Sequence, residues 1–75
     1  MKYSAKDIGA IVRKTRKTLG VTQQSLALTS GTGTRFIIDL EKGKRTCELG
    51  KVLTVLQTLG IKLTLTAPSI PKPEK

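Results

Sequence analysis

The chain has 75 residues, with 14 lysines and arginines against 5 acidic residues, and a formal net charge of +9. This length allows one small domain with a core that is marginal by itself, so we expect association with other chains. With no histidine and one cysteine, neither histidine–cysteine metal clusters nor nucleophile–histidine pairs can form within one chain. The composition therefore argues against an enzyme and predicts no metal and no cofactor.

The charge and the apolar pattern indicate the kind of partner and the compartment. A strongly basic small domain favours an anionic partner, with nucleic acid first, although such domains are often merely soluble. The N-terminal residues lead directly into charged residues, and no apolar run approaches the roughly 18 residues of a membrane span. We therefore expect no signal peptide, no membrane association and a cytoplasmic location.

Helical periodicity predicts a first helix over residues 5–19. Ser4 is placed to cap its start, with Asp7 three residues later, and Gly20 is placed to end it in the left-handed conformation. Its apolar face is formed by Ile8, Ile11, Val12, Thr15 and Leu19.

Two shorter helices and a longer one follow. The second is predicted over residues 23–30 with Thr22 as its cap, and the third over residues 34–42 after a Gly31-Thr32-Gly33 turn. The fourth is predicted over residues 47–59 with Thr46 as its cap. Its apolar stripe is formed by Leu49, Val52, Leu53, Leu56 and Leu59.

The period changes from 3.6 to 2 after Gly60. Apolar residues alternate with Lys62, Thr64 and Thr66 over residues 61–67, which is typical of a strand. A lone strand leaves unpaired backbone groups, so we expect it to pair with the same strand of a second chain. The residues of this dimerisation strand are Ile61, Leu63 and Leu65. The proline-rich tail, residues 68–75, is expected to be extended and flexible.

The second and third helices have the layout of a helix-turn-helix unit. In such a unit the second helix lies across the DNA backbone, which places Gln23 at a phosphate. The third helix projects its first residues, Thr34 and Arg35, into the major groove.

The chain from about residue 8 to residue 59 resembles phage-repressor-type (Cro/C1, XRE) helix-turn-helix domains, with the motifs in residues 19–27 and 31–44. The elements Thr-Gln-x-x-Leu-Ala and Ile-x-x-Leu-Glu-x-Gly-Lys occur at the family spacing. The chain length and the ending Leu-Gly-Ile-Lys-Leu-Thr-Leu are similar to HipB-like antitoxins, which are dimeric repressors that bind HipA-type kinase toxins. The resemblance implies an all-α, lambda-repressor-like domain over residues 4–60 with a short C-terminal strand pairing across a dimer.

The resemblance also implies a set of functional residues. Those expected at DNA are Gln23, Gly33, Thr34, Arg35, Ile38, Lys42, Lys44 and Arg45. Arginine is the usual partner of guanine O6 and N7, so Arg35 is expected to read a base. Ile38 either touches a thymine methyl group or belongs partly to the core, and the loop cations either contact phosphates or form a solvated surface. Arg16 and Glu41 match a pair that joins the first and third helices, and their role is structural.

The sequence as a whole predicts a homodimeric, sequence-specific repressor of a palindromic double-stranded DNA operator, located at a bacterial nucleoid. It further predicts the antitoxin of a HipBA-like operon, with a HipA-type kinase as partner. The alternatives are a stand-alone transcription regulator and a toxin-neutralising interaction module that binds DNA weakly.

Overall fold

The computed structural model of the chain describes residues 3–69, and its helices confirm the predicted all-helical domain. They are α1 (Ala5–Thr18), α2 (Gln23–Ser30), α3 (Thr34–Glu41) and α4 (Leu49–Thr58). No helix in the described part of the chain is both long enough and apolar enough to cross a membrane. Most of the predicted C-terminal tail, residues 70–75, lies outside the described residues.

The starts of α1 and α2 are capped as the sequence predicts. In α1, the backbone N–H of Asp7 donates to Ser4 Oγ at 3.2 Å, and the backbone N–H of Ser4 donates to the Asp7 carboxylate at 2.9 Å. In α2, the backbone N–H of Ser25 donates to Thr22 Oγ1 at 3.0 Å. These contacts satisfy N–H groups that the first turn of a helix leaves free.

The predicted start of α4 is wrong by two residues. The helix begins at Leu49, and its N-cap is Glu48 rather than Thr46. The Glu48 carboxylate accepts hydrogen bonds from the backbone N–H groups of Gly50 and Lys51, both at 3.1 Å. A carboxylate can satisfy two free N–H groups and also interacts favourably with the positive end of the helix dipole.

Each helix contributes one side chain to the centre of the core. These four side chains are at most 1% exposed and are Val12, Leu26, Ile37 and Val55. The predicted stripe of α4 omits Val55 and includes Leu49 and Leu53, which are 67% and 40% exposed. On α1, Ile11 and Leu19 also lie largely in solvent.

The helix α3 is held unusually close to α1. Gly9 is buried on α1, and a Cβ atom there would overlap the carbonyl oxygen of Leu40 and lie 3.0 Å from that of Glu41. The absence of a side chain at residue 9 therefore allows the C-terminal end of α3 to approach the α1 backbone directly.

The segment after α4 has neither helix nor strand in the described part of the chain. After Leu59 and Gly60, Ile61 donates its backbone N–H to the carbonyl of Leu56 at 2.9 Å and packs against the core. Further along, Leu63 is 47% exposed and Leu65 is 85% exposed. A strand needs a neighbouring strand, and none lies within the described residues of one chain, so pairing across a dimer stays a prediction.

Candidate DNA interface

The turn between α2 and α3 is fixed by glycine geometry and by a buried hydroxyl group. Gly31 has a φ of 72°, a left-handed conformation that favours glycine. Ser30 is buried, and its hydroxyl donates to the carbonyl of Leu26 at 2.7 Å and lies 3.0 Å from the Thr32 hydroxyl. The backbone N–H of Thr32 closes the turn on the carbonyl of Ala27 at 2.9 Å. The angle between the two helices is thus defined locally.

The C-terminal end of α3 is fixed to α1 by the predicted pair Arg16 and Glu41. Arg16 Nε donates to Glu41 Oε2 at 2.6 Å, and Arg16 Nη2 donates to Glu41 Oε1 at 3.0 Å. The remaining guanidinium nitrogen, Nη1, donates to the carbonyl of Val21 at 2.9 Å. The hydrogen bond with Glu41 raises the pKa of Arg16, and burial of the guanidinium acts in the opposite direction. A bidentate ion pair of this kind fixes the orientation of the two side chains as well as the distance between them.

Gln23 joins this pair rather than extending freely from α2. Its side-chain nitrogen Nε2 donates to Glu41 Oε1 at 3.1 Å. The first residue of α2 and the last residue of α3 therefore share a hydrogen-bond network with α1. The predicted contact between Gln23 and a phosphate stays a prediction, since it concerns the DNA-bound state.

The N-terminal end of α3 carries the predicted base-reading residues on an open surface. Gly33 is the N-cap and offers no side-chain hydrogen bond, so the first N–H groups of α3 have no side-chain cap. Thr34 is half-buried, whereas the Arg35 side chain is 76% exposed and forms an ion pair with Asp39, with 3.2 Å between Nη2 and Oδ1. Arg35 therefore lies on the open surface at the N-terminal end of α3, and base reading by Arg35 stays a prediction.

Ile38 lies at the edge of a shallow depression between α1, α2 and α3. The depression has a volume of about 230 Å³ and is lined by Arg13, Gln23, Ile38, Glu41 and Lys42. Ile38 is half-buried, which agrees with a partial place in the core, and it lines the same depression as Lys42. Its contact with a thymine methyl group stays a prediction.

The three cations after α3 separate into two locations. Lys42 and Lys44 lie beside α3, and Lys44 Nζ approaches Asp39 Oδ2 at 3.5 Å. Arg45 instead lines a depression with Tyr3, Ser4 and Lys6, next to the start of α1. The structure thus brings Lys42 and Lys44 together with the α3 residues and places Arg45 at the margin.

Sequence reasoning missed two residues at this surface. Arg13 lines the depression beside Ile38 and adds a cation from α1. Its spacing of three residues from Arg16, which faces α3, is the signal that predicts this position. Asp39, one turn after Arg35, contacts both Arg35 and Lys44, and the (i, i+4) spacing from Arg35 is the signal for it.

The single cysteine has no feature of a reactive site. Burial raises the pKa of the Cys47 thiol, with a smaller contribution from the Asp39 carboxylate. The nucleophilic thiolate form is therefore disfavoured. Within residues 3–69, no cluster of histidine, cysteine, aspartate and glutamate side chains is suited to hold a metal ion.

A known relative shows the family. The chain is 55% identical over 62 residues to the HTH-type (helix-turn-helix) transcriptional regulator y4mF of Sinorhizobium fredii (strain NBRC 101917 / NGR234), and the match covers 83% of this chain and 82% of that protein. The chain belongs to the HTH-type transcriptional regulators. No family model matches the sequence.

Solved structures of this HTH regulator's fold include HipB complexes. The chain matches the HipA–HipB–O2–O3 complex and the HipB–O4 20mer complex at 25% identity, with a TM-score of 0.79 and coverage of 92% of this chain and 97% of the matched chain. It also resembles the restriction-modification controller protein C.AhdI from Aeromonas hydrophila, at 28% identity and a TM-score of 0.68 over 77% of this chain and 84% of that chain. The resemblance to XRE-type regulators, and to HipB among them, is confirmed.

Proposed function

We propose that this HTH regulator is a sequence-specific repressor that binds a palindromic double-stranded DNA operator as a homodimer. The proposal rests on two features of α3. Its N-terminal end, which bears Thr34 and Arg35, is open to solvent at Arg35, and its C-terminal end is fixed by the pair of Arg16 and Glu41. A fixed helix end holds the reading residues in a constant position relative to the phosphate-binding residues, as groove recognition requires.

The charges around α3 suit a polyanion. The cations Arg13, Arg35, Lys42 and Lys44 lie on or beside this helix. The Glu41 carboxylate forms an ion pair with Arg16, and the Glu41 side chain is only 3% exposed, so it presents little negative charge to solvent. Phosphates would therefore meet a mainly positive surface, and counterion release would supply much of the affinity.

The surface around the C-terminal segment supports the homodimer. Ile11, Leu53 and Leu63 are 47%, 40% and 47% exposed and line two adjoining depressions on either side of residues 61–64. A second copy, related by a two-fold axis, would cover these side chains and supply the missing strand for Ile61, Leu63 and Leu65. The same axis would place two α3 helices about 34 Å apart, which is one turn of DNA.

We also propose that the regulator is the antitoxin of a HipBA-like pair and binds a HipA-type kinase. The support is the likeness to HipB over almost the whole length of both chains, including a complex that contains HipA. A stand-alone regulator is the second candidate, and the likeness to the clp gene regulator ClgR from C. glutamicum, at 26% identity and a TM-score of 0.69, supports it. A toxin-neutralising module with weak DNA binding is the third candidate.

The DNA proposal is tested by selecting duplexes from a pool with a randomised 20-base-pair segment and then titrating the selected duplex against salt. About four to six phosphate contacts per dimer give a log–log slope of roughly −4 to −5. Arg35→Ala should weaken the selected duplex by about 1–3 kcal/mol and relax one base position, whereas Lys44→Ala should weaken selected and random duplexes alike. A flat salt response, or a pool without enrichment, would contradict the repressor proposal.

The antitoxin proposal is tested by purifying the tagged full chain from its native cells and identifying the protein and DNA bound to it. Recovery of a kinase-like protein together with an operator fragment supports the antitoxin. An operator fragment without a protein partner favours the stand-alone regulator, and a protein partner without DNA favours the interaction module.

A further inference from the structure

The surface around α3 contains one acidic side chain that has no role in holding the fold together. Among the described residues, Asp7 caps α1, Glu41 pairs with Arg16, and Glu48 caps α4. Asp39 instead contacts two cations of the candidate DNA interface. Its Oδ1 lies 3.2 Å from Arg35 Nη2, and its Oδ2 lies 3.5 Å from Lys44 Nζ.

The exposed fractions of the three side chains show that Asp39 is much more buried than the two cations that it contacts. The Asp39 side chain is 17% exposed, whereas the side chains of Arg35 and Lys44 are 76% and 55% exposed. The backbone around the carboxylate is also fixed, because the Asp39 carbonyl accepts from the N–H groups of Lys42 at 3.2 Å and Lys44 at 3.0 Å. The carboxylate is thus the more covered partner in both ion pairs, and it draws two long, exposed side chains towards one place on α3.

The contact leaves Arg35 able to read a base. A guanidinium group has five N–H donors, and the Asp39 contact engages one of its nitrogens at a single oxygen. The remaining donors suffice for the two parallel hydrogen bonds that arginine makes to guanine O6 and N7. The ion pair reduces the rotamer freedom that Arg35 must lose on binding, and it directs the guanidinium along α3 towards Asp39.

A carboxylate at this position also opposes binding to incorrect sequences. Its negative charge lies 3.5 Å from Lys44 Nζ, one of the cations proposed to meet phosphate, so it would repel a phosphate at that place. On a random duplex this repulsion is not offset, because Arg35 finds no matching base. On a matched duplex the contact between Arg35 and its base offsets the repulsion between Asp39 and phosphate. The ratio of the affinity for the matched duplex to that for a random duplex therefore increases.

We propose that Asp39 is a specificity-determining, positioning residue that orients Arg35 towards one base and weakens, without abolishing, the sequence-independent contact of Lys44 with phosphate. The inference rests on the proposed DNA-binding function and deepens it. It predicts that removing the Asp39 charge makes the protein bind DNA more tightly in general and less selectively at one base pair.

The test compares the full-length wild type and Asp39→Asn on the same pool of duplexes with a randomised 20-base-pair segment. We expect the variant to lose about fivefold discrimination at the base position that Arg35→Ala relaxes, which is the lower end of what one two-pronged contact supplies. Its affinity for random duplexes should rise, and its salt dependence should steepen by about one to two in the log–log slope. Asp7→Asn makes the same change in net charge within the α1 cap and is the matched control, which should keep the wild-type preference.

The double variant Arg35→Ala/Asp39→Asn separates orientation from direct base contact. If Asp39 acts through Arg35, its removal changes nothing at that base position once Arg35 is absent. A change of preference that persists without Arg35 would mean that Asp39 reads a base itself and would overturn the proposal. Equal loss on selected and random duplexes, with unfolding at lower temperature, would also overturn it by showing a structural role. A wild type that enriches no sequence would refute the repressor function, and this inference with it.

Discussion

The contact between Gly9 and the end of α3 gives the sharpest test of how this fold positions its reading helix. Gly9→Ala adds one methyl group to α1 at a place where it would overlap the Leu40 carbonyl oxygen and lie 3.0 Å from the Glu41 carbonyl oxygen. Both obstacles are backbone atoms, so no side-chain rotation relieves the overlap. The α3 backbone must therefore move away from α1.

Two opposing contributions decide the sign of the effect on stability. Alanine is favoured over glycine in a helix interior by about 1 kcal/mol. Forcing an extra methyl group into a closely packed site costs about 1–3 kcal/mol, and here the upper part of that range applies because two consecutive carbonyls are displaced. The net destabilisation should be about 1–2 kcal/mol, which lowers the melting temperature of a small domain by about 4–16 °C.

The matched control is Gly50→Ala in α4, where the new Cβ would meet only the end of the Glu48 side chain at 2.9 Å. Moving this carboxylate costs part of the α4 cap, about 1 kcal/mol, and the preference for alanine over glycine in a helix offsets it by about 1 kcal/mol. This variant should therefore stay within about 0.5 kcal/mol of the wild type. Urea unfolding at one fixed chain concentration measures both variants, because association shifts apparent stability. A Gly9→Ala protein that is as stable as Gly50→Ala and binds the selected duplex normally would refute the claim that residue 9 sets the position of α3.

Three other predictions concern the ion pair, the thiol and the C-terminal segment. Glu41→Gln leaves the buried Arg16 charge without a counter-charge and should lower the free energy of unfolding by about 3 kcal/mol, as measured by urea unfolding. An unchanged urea midpoint would contradict a stabilising ion pair. Cys47 should react with iodoacetamide at pH 8 more slowly than a free cysteine, because a raised pKa reduces the thiolate fraction, and urea should abolish the difference. Leu63→Pro should shift the protein towards monomer and remove operator binding while helix content survives. Light scattering at micromolar concentration checks it, and a wild type that stays monomeric would contradict strand pairing.

The sequence alone determined the helices and the helix-turn-helix unit, because those features depend on local chemistry. The Ser4 and Thr22 caps and the Gly31 turn act within a few residues of themselves, so their residue types predict their structure directly. The pairing of Arg16 with Glu41 came instead from the family spacing, since the residues are 25 positions apart.

Residue type and periodicity gave the wrong residue where two neighbouring residues could each cap α4 or each belong to its buried face. Thr46 is a favourable cap by residue type, yet Glu48 caps α4 because its carboxylate reaches two backbone N–H groups. The apolar pattern of α4 likewise could not separate Val55, which is completely buried, from Leu49, which is mostly exposed. Burial depends on where the other helices lie, and periodicity carries no information about that.

Only the tertiary structure showed the contacts that organise the candidate interface. The role of Gly9 depends on the backbone of α3 passing directly over α1, and the role of Gln23 depends on Glu41 being within reach. Asp39 was missed in the sequence although its (i, i+4) spacing from Arg35 is a local signal, because α3 also carries Glu41 and composition does not rank the two carboxylates. Its importance follows from geometry: a largely covered carboxylate lies between the two cations that are proposed to meet DNA, and distance rather than residue type sets the strength of that interaction.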